Sequence, residues 1–238
     1  MHIHINRTLT GTWETDRAAV KEIAEASTTA AQIYEHARVV IALFDRLTYG
    51  TPSASNYPER SGLARKVHDE LFPIAHFAML HFAASSDVSI RWHLGNQNFD
   101  ATVEDQRADP DRSSIRYLEV TTLQDREDAK LLQRLSEEGC IGIEGDLGQA
   151  SHLRKVDLLR KALEKKGMIE YPPDTALLVY TDEDRFRQFS FGMPPRTIDK
   201  KNSFGAVLDE MKPLLERFSE VFVYSKSEIY CALQPRTE

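Results

Sequence analysis

Apolar and polar residues alternate with period two in three segments between positions 88 and 122, and apolar residues recur at three- and four-residue steps in most of the remaining chain. The first pattern predicts strands with one face turned inward, the second amphipathic helices. An N-terminal strand is expected over 2–9. A helix capped by Thr15 or Asp16 is expected through 26, with Val20 and Ile23 inward. A second helix spans 29–47 with Ile33, Ala37, Val40, Ile41 and Phe44 as its apolar stripe. Positions 49–58 read as loop from their Gly, Pro, Ser and Asn content. A third helix runs over 59–84, interrupted or kinked at Pro73.

Three consecutive strands follow, over 88–94, 99–104 and 115–122, with turns at Gly95-Asn96 and at 108–111. Helices are expected over 123–138, ending at Gly139, and over 151–166, ending at Gly167. The run 176–181 is continuously apolar, as in a strand buried on both faces. A loop over 192–201, a helix over 204–218 reset at Pro213, and a hairpin of 221–224 with 229–233 complete the chain. This order predicts an α/β fold, a mixed sheet flanked by helices, with a helical N-terminal extension. The boundary is placed as a helical lobe over 1–64 packed on a core domain over 65–238.

Composition constrains the partners. Hydrophobic residues make up 41 % and charged residues 28 % of 238, an ordinary globular balance. No apolar run approaches the roughly 20 residues that span a bilayer, and Met1-His2-Ile3-His4 lacks the pattern of a secretory signal. Two cysteines, Cys140 and Cys231, provide neither a disulfide framework nor zinc spacing. A cytoplasmic protein without membrane contact is expected. The net charge of −7 argues against coating nucleic acid by charge alone, though not against a local basic face.

The chemistry-bearing positions are acids on the predicted strands. Asp100, Thr102 and Glu104 share one face of the second strand, and Glu119 and Thr121 one face of the third. Antiparallel pairing would bring Asp100 and Glu119 together. Neighbouring buried carboxylates repel unless a cation lies between them. This predicts Mg²⁺ or Mn²⁺ and phosphodiester chemistry.

The residues Asp100, Glu119-Val120-Thr121 and the buried strand containing Leu177-Leu178-Val179-Tyr180, in this element order over about 65–235, resemble the PD-(D/E)XK nuclease superfamily. The resemblance implies a restriction-endonuclease-like core: a helix, a strand hairpin bearing Asp and then Glu/Asp-x-Lys, a helix and a further buried strand. It implies Asp100 and Glu119 as metal ligands, the Val120 carbonyl as a third, and Glu70 as an additional acid on the preceding helix. Phe99 stands where the family has Pro, and Thr121 where it has Lys. A Thr hydroxyl binds water but carries no charge. Since the family relocates this cation to a neighbouring helix, Lys130 is the first candidate, with Lys155 or Lys161 next. Gln133 would position water or substrate beside Lys130. The implied activity is metal-dependent hydrolysis of DNA, with a homodimer as one assembly. The alternative is a catalytically inactive relative that binds nucleic acid or a protein partner.

Other groups are weaker candidates. Arg154, Lys155, Arg160 and Lys161, with Lys165 and Lys166, form a basic helix whose Leu153, Val156, Leu159 and Leu163 are expected inward. It would track a phosphate backbone or simply be a solvated face. His2 and His4 form a His-x-His without the further ligands a metal centre needs. His76 and His81 lie five apart on an apolar helix, off a common face, and are expected as core or interface residues. Residues 139–145 match neither a phosphate loop nor a dinucleotide fingerprint.

Overall fold

The structure, a computed structural model, describes residues 13–47, 65–108, 114–125, 147–181 and 198–235, together with Glu127, Lys130 and Glu138. The expected strand with His2 and His4, the loop 49–58, Gln133, Cys140 and the segment 139–145 lie outside the described residues. So does most of the helix expected over 123–138 and of the loop over 192–201.

Helices α1 (Trp13–Ala24) and α2 (Ile33–Leu47) flank a two-residue strand β1 (Thr28–Thr29). The second helix was expected to begin at Thr29. Instead Thr28 and Thr29 pair antiparallel with Ile90 and Ser89, as suits two β-branched residues at a sheet edge. A π-helical turn (Val67–Leu71) then runs into α3 (Phe72–His81). Pro73 falls in the first turn of α3, where its missing N–H costs little, so the irregularity precedes the proline. Strands β2 (Val88–Trp92), β3 (Ala101–Asp105) and β4 (Tyr117–Leu123) follow, then α4 (Leu147–Gly167) and β5 (Thr175–Thr181). Helix α5 (Lys200–Met211) begins earlier than expected because the Asp199 side chain caps the Asn202 N–H, and a 3₁₀ turn at Lys212–Leu214 takes up Pro213. Strands β6 (Glu220–Tyr224) and β7 (Ile229–Leu233) close the chain.

The fold is mixed α/β. Among the described residues seven strands lie in sequence order, with β4, β5 and β6 mutually parallel and the remaining neighbours antiparallel. Alternation along each strand divides the core. Ile90, Trp92, Val103, Leu118, Val120, Ala176, Leu178, Phe222 and Tyr224 face the N-terminal helices, packing with Ile33, Val40, Leu71, Ile74 and Phe77. Leu123, Leu177, Val179, Val221 and Val223 face α4 and α5, packing with Leu159, Leu163, Phe204, Leu208 and Phe218. Each fully buried Leu or Phe contributes about 1.5–3 kcal/mol. The Tyr224 hydroxyl donates to the Pro73 carbonyl at 2.8 Å and ties the sheet to α3.

The basic helix turns Val156, Leu159 and Leu163 inward as expected and departs from expectation at Leu153 and Lys155. Leu153 is 58 % exposed, whereas Lys155 is only 2 % exposed. The inward stripe of α4 is His152, Lys155, Leu159, Leu163 and Lys166, a 3.6-residue period that includes two lysines. Long lysine stems bury along apolar surface while the ammonium finds a polar neighbour.

Candidate active site

The site forms where the β3–β4 ladder breaks. β3 and β4 pair only at Ala101↔Leu118 and Thr102↔Tyr117. Extending that register would set Asp100 opposite Glu119. Instead the Asp100 N–H turns to the Leu118 carbonyl at 2.8 Å, and the Val120 N–H donates to Asp100 Oδ2 at 2.8 Å. A side chain has replaced a backbone acceptor. The carboxylate is thereby fixed beside β4, satisfying a donor that the broken ladder would otherwise strand.

Glu119 is 8 % exposed and lies on the α4 side of the sheet. Lys166, in the last turn of α4, donates from Nζ to Glu119 Oε1. Leu159 and Leu163 anchor this turn on the same stripe. At the helix end, Gly167 meets the 3₁₀ turn so closely that a Cβ there would lie 2.7 Å from the Leu214 carbonyl oxygen. Glu70, from the π-turn, accepts from Trp92 Nε1 at 3.1 Å and has Lys66 at 4.0 Å. The turn is tied to β4 by the Thr122 hydroxyl, which donates to the Asp69 carbonyl at 2.8 Å.

The three acids sense one another. Asp100 is pushed up to about 7 from an ordinary 3.8, first by burial, then by the Glu119 and Glu70 charges, with the Val120 N–H and Lys166 opposing. Burial also raises Glu70, with Glu119 and Asp69 adding to it, against Lys66 and the Trp92 N–H. Tyr171, just before β5, is held far above its ordinary range by burial and by both Glu119 and Asp100. Three carboxyl groups, two of them with a lysine partner, thus interact in a poorly solvated region.

The sequence-predicted residues divide. Asp100, Glu119 and Glu70 stem from three separate elements and interact through their charges. Val120 meets Asp100 through its backbone N–H, which donates to Oδ2 at 2.8 Å. Thr121 is half-buried and follows Glu119 at the next position on the same face. Lys130 is exposed and paired with Glu127 at 2.8 Å; the cation beside the acids is Lys166. Gln133 lies outside the described residues. Lys155 is buried, which removes it from any outward basic face. Arg154 donates to Asp125 at 2.5 Å and Arg160 to Glu210 at 3.2 Å, so both are engaged in ion pairs, while Lys161 is exposed. The outward basic track expected on this helix is therefore reduced. Lys166 was legible only as one of six basic helix residues, and Tyr171 carried no local signal.

His76 and His81 are half-buried among aromatic rings, His76 against Tyr180 and His81 against Phe77 and Phe222. Burial is the main reason that both are lowered from the ordinary histidine value. Among the described residues no three His, Cys, Asp or Glu side chains converge as a ready metal cage. What is present is three buried or part-buried acids whose charges bear on one another, Asp100 being raised first through burial and then through the Glu119 and Glu70 charges. Carboxylate oxygens are the donors that Mg²⁺ and Mn²⁺ take. Among the described residues no helix is long and apolar enough to cross a membrane. No family model, curated protein or solved structure matches the chain.

Proposed function

We propose that this chain is a divalent-metal-dependent hydrolase of nucleic acid phosphodiesters, with DNA as the first substrate to test. On this reading it is a PD-(D/E)XK-like nuclease whose motif lysine has been replaced by Lys166 from α4. The observation that carries the reading is the Lys166–Glu119 ion pair beside Asp100, in the gap where the β3–β4 ladder breaks. The element order supports it: the Glu70 turn and α3, an antiparallel pair bearing Asp100 and Glu119, helix α4, then the parallel buried strand β5.

Asp100 and Glu119 would hold the ion, with Glu70 as an additional acid. Once bound, such an ion acts as a Lewis acid on the phosphoryl group and acidifies water. The chain's own groups do the rest. The Val120 N–H orients Asp100, and Lys166 orients Glu119. The Lys166 ammonium, on a side chain 17 % exposed, supplies the positive charge that Thr121 cannot, where water screens it little. The Thr121 hydroxyl is left to hydrogen-bond water. With a net charge of −7, affinity for a polyanion would depend on this site and the bound ion more than on long-range attraction.

The test compares cleavage of duplex and single-stranded DNA in Mg²⁺ or Mn²⁺ by wild type, Asp100→Asn and Glu119→Gln. Each substitution is expected to reduce cleavage at least about 100-fold. Undiminished cleavage by both variants would remove the proposal.

One observation favours a second reading, a non-catalytic protein that binds nucleic acid or a protein partner: the Lys166–Glu119 pair satisfies itself without a metal ion. Melting in millimolar Mn²⁺ separates the two. A metal site raises the melting temperature according to concentration over dissociation constant, and Asp100→Asn abolishes the rise. An internally satisfied pair gives no rise in either protein.

A further inference from the structure

The Tyr171 hydroxyl is buried and finds no hydrogen-bond partner among the described residues. Buried hydroxyls without a partner are uncommon, since such a group forfeits its bonds to water. Its surroundings fix the ring. Phe218 packs against it at 4.8 Å between centroids. The neighbouring Glu170 carbonyl accepts from Asn98 Nδ2 at 3.0 Å, which ties the segment bearing Tyr171 to the segment bearing Asp100. Five residues upstream, Lys166 reaches Glu119. The segment bearing the phenol is therefore held to the strands that carry the acids, its hydroxyl bonds to none of them, and burial first, then the Glu119 and Asp100 charges, keep it a neutral donor.

We infer that Tyr171 is a ligand-contacting residue of this site, whose hydroxyl donates to a phosphoryl oxygen of the bound molecule. This rests on the phosphodiester reading above and extends it to a particular contact. The acids are suited to a cation and Tyr171 to the anion that the cation brings. A neutral donor among carboxylates does not compete with them for the metal ion, and it gains a strong acceptor when a phosphate arrives. Lys166 holds Glu119, which leaves Tyr171 as the donor still lacking an acceptor.

The test uses the full chain, inorganic phosphate as the probe, and Tyr171→Phe, which keeps the ring and its contact with Phe218. Melting is followed with Mn²⁺ alone, phosphate alone and both together. Wild type is expected to show a rise with phosphate beyond any rise with Mn²⁺. Tyr171→Phe is expected to keep the Mn²⁺ rise and to bind phosphate at least about tenfold more weakly, the loss of one hydrogen bond to a charged acceptor. Equal phosphate responses in the two proteins would overturn the inference, as would the lack of any phosphate response in wild type. If Mn²⁺ has no effect while phosphate still distinguishes the two proteins, the metal reading fails and the Tyr171 contact stands.

Discussion

Lys166 and Asp100 make the most specific predictions at the residue scale. Lys166→Met retains much of the stem's packing and removes the charge. It is expected to lower cleavage about 100- to 1,000-fold, the range for losing one positioned donor to developing charge. Thr121 shares the Glu119 face, so adding Thr121→Lys to Lys166→Met is expected to recover part of that loss. Rates that ignore Lys166→Met, or a double variant that merely adds damage, would count against Lys166 as the relocated cation. Asp100 links the site to pH. Its folded-state value of about 7 lies above the ordinary 3.8, so the folded protein binds this proton more tightly than the unfolded chain does. The associated stability is complete below about pH 4 and is lost as pH rises through about 7. In chelator, urea unfolding at pH 5, 6, 7 and 8 should show wild type weakening across this window. Asp100→Asn should follow a flatter course and exceed wild type at pH 8. Parallel curves would show that Asp100 does not titrate there.

At the scale of the element, α4 sets the site through its rotation about its own axis. Period alone did not settle that rotation. Leu153, Val156, Leu159 and Leu163 form one plausible apolar stripe, yet the helix buries His152, Lys155, Leu159 and Leu163 and leaves Leu153 in solvent. The difference comes from two ion pairs along the helix. Arg154 pairs with Asp125 just after β4, and Lys166 pairs with Glu119, and these two bonds fix the turn. Leu159→Ala is therefore expected to cost about 2–5 kcal/mol in urea unfolding, and Leu153→Ser less than about 0.5 kcal/mol. Equal costs would mean the helix faces the other way. Gly167→Ala is expected to destabilise by about 1–3 kcal/mol, because its Cβ would meet the Leu214 carbonyl at 2.7 Å. Shifting the final turn that carries Lys166 should reduce cleavage as well.

For the whole molecule, the central strands bind two cores into one unit. Leu177 and Val179 face α4 and α5, while Ala176 and Leu178 between them face the N-terminal helices. Neither core can be lost without exposing β5. Thermal unfolding followed by far-ultraviolet circular dichroism and by tryptophan fluorescence is therefore expected to give coincident midpoints. Midpoints several degrees apart would show that the helices around Trp92 melt independently. The sequence by itself determined strands β2, β3 and β4 and their faces, because period-two alternation is a local property, and so it marked Asp100 and Glu119 as residues able to meet across neighbouring strands. The resemblance carried by these residues also named Glu70 and marked Thr121 as a position without a lysine. The tertiary structure alone decided that Lys166 pairs with Glu119 and that Tyr171, from the α4–β5 connection, senses the charge of both acids. Those choices depend on where a crossover helix lands and how it is rotated. Packing and buried ion pairs between residues distant in sequence set both, and no local pattern of apolar positions encodes them.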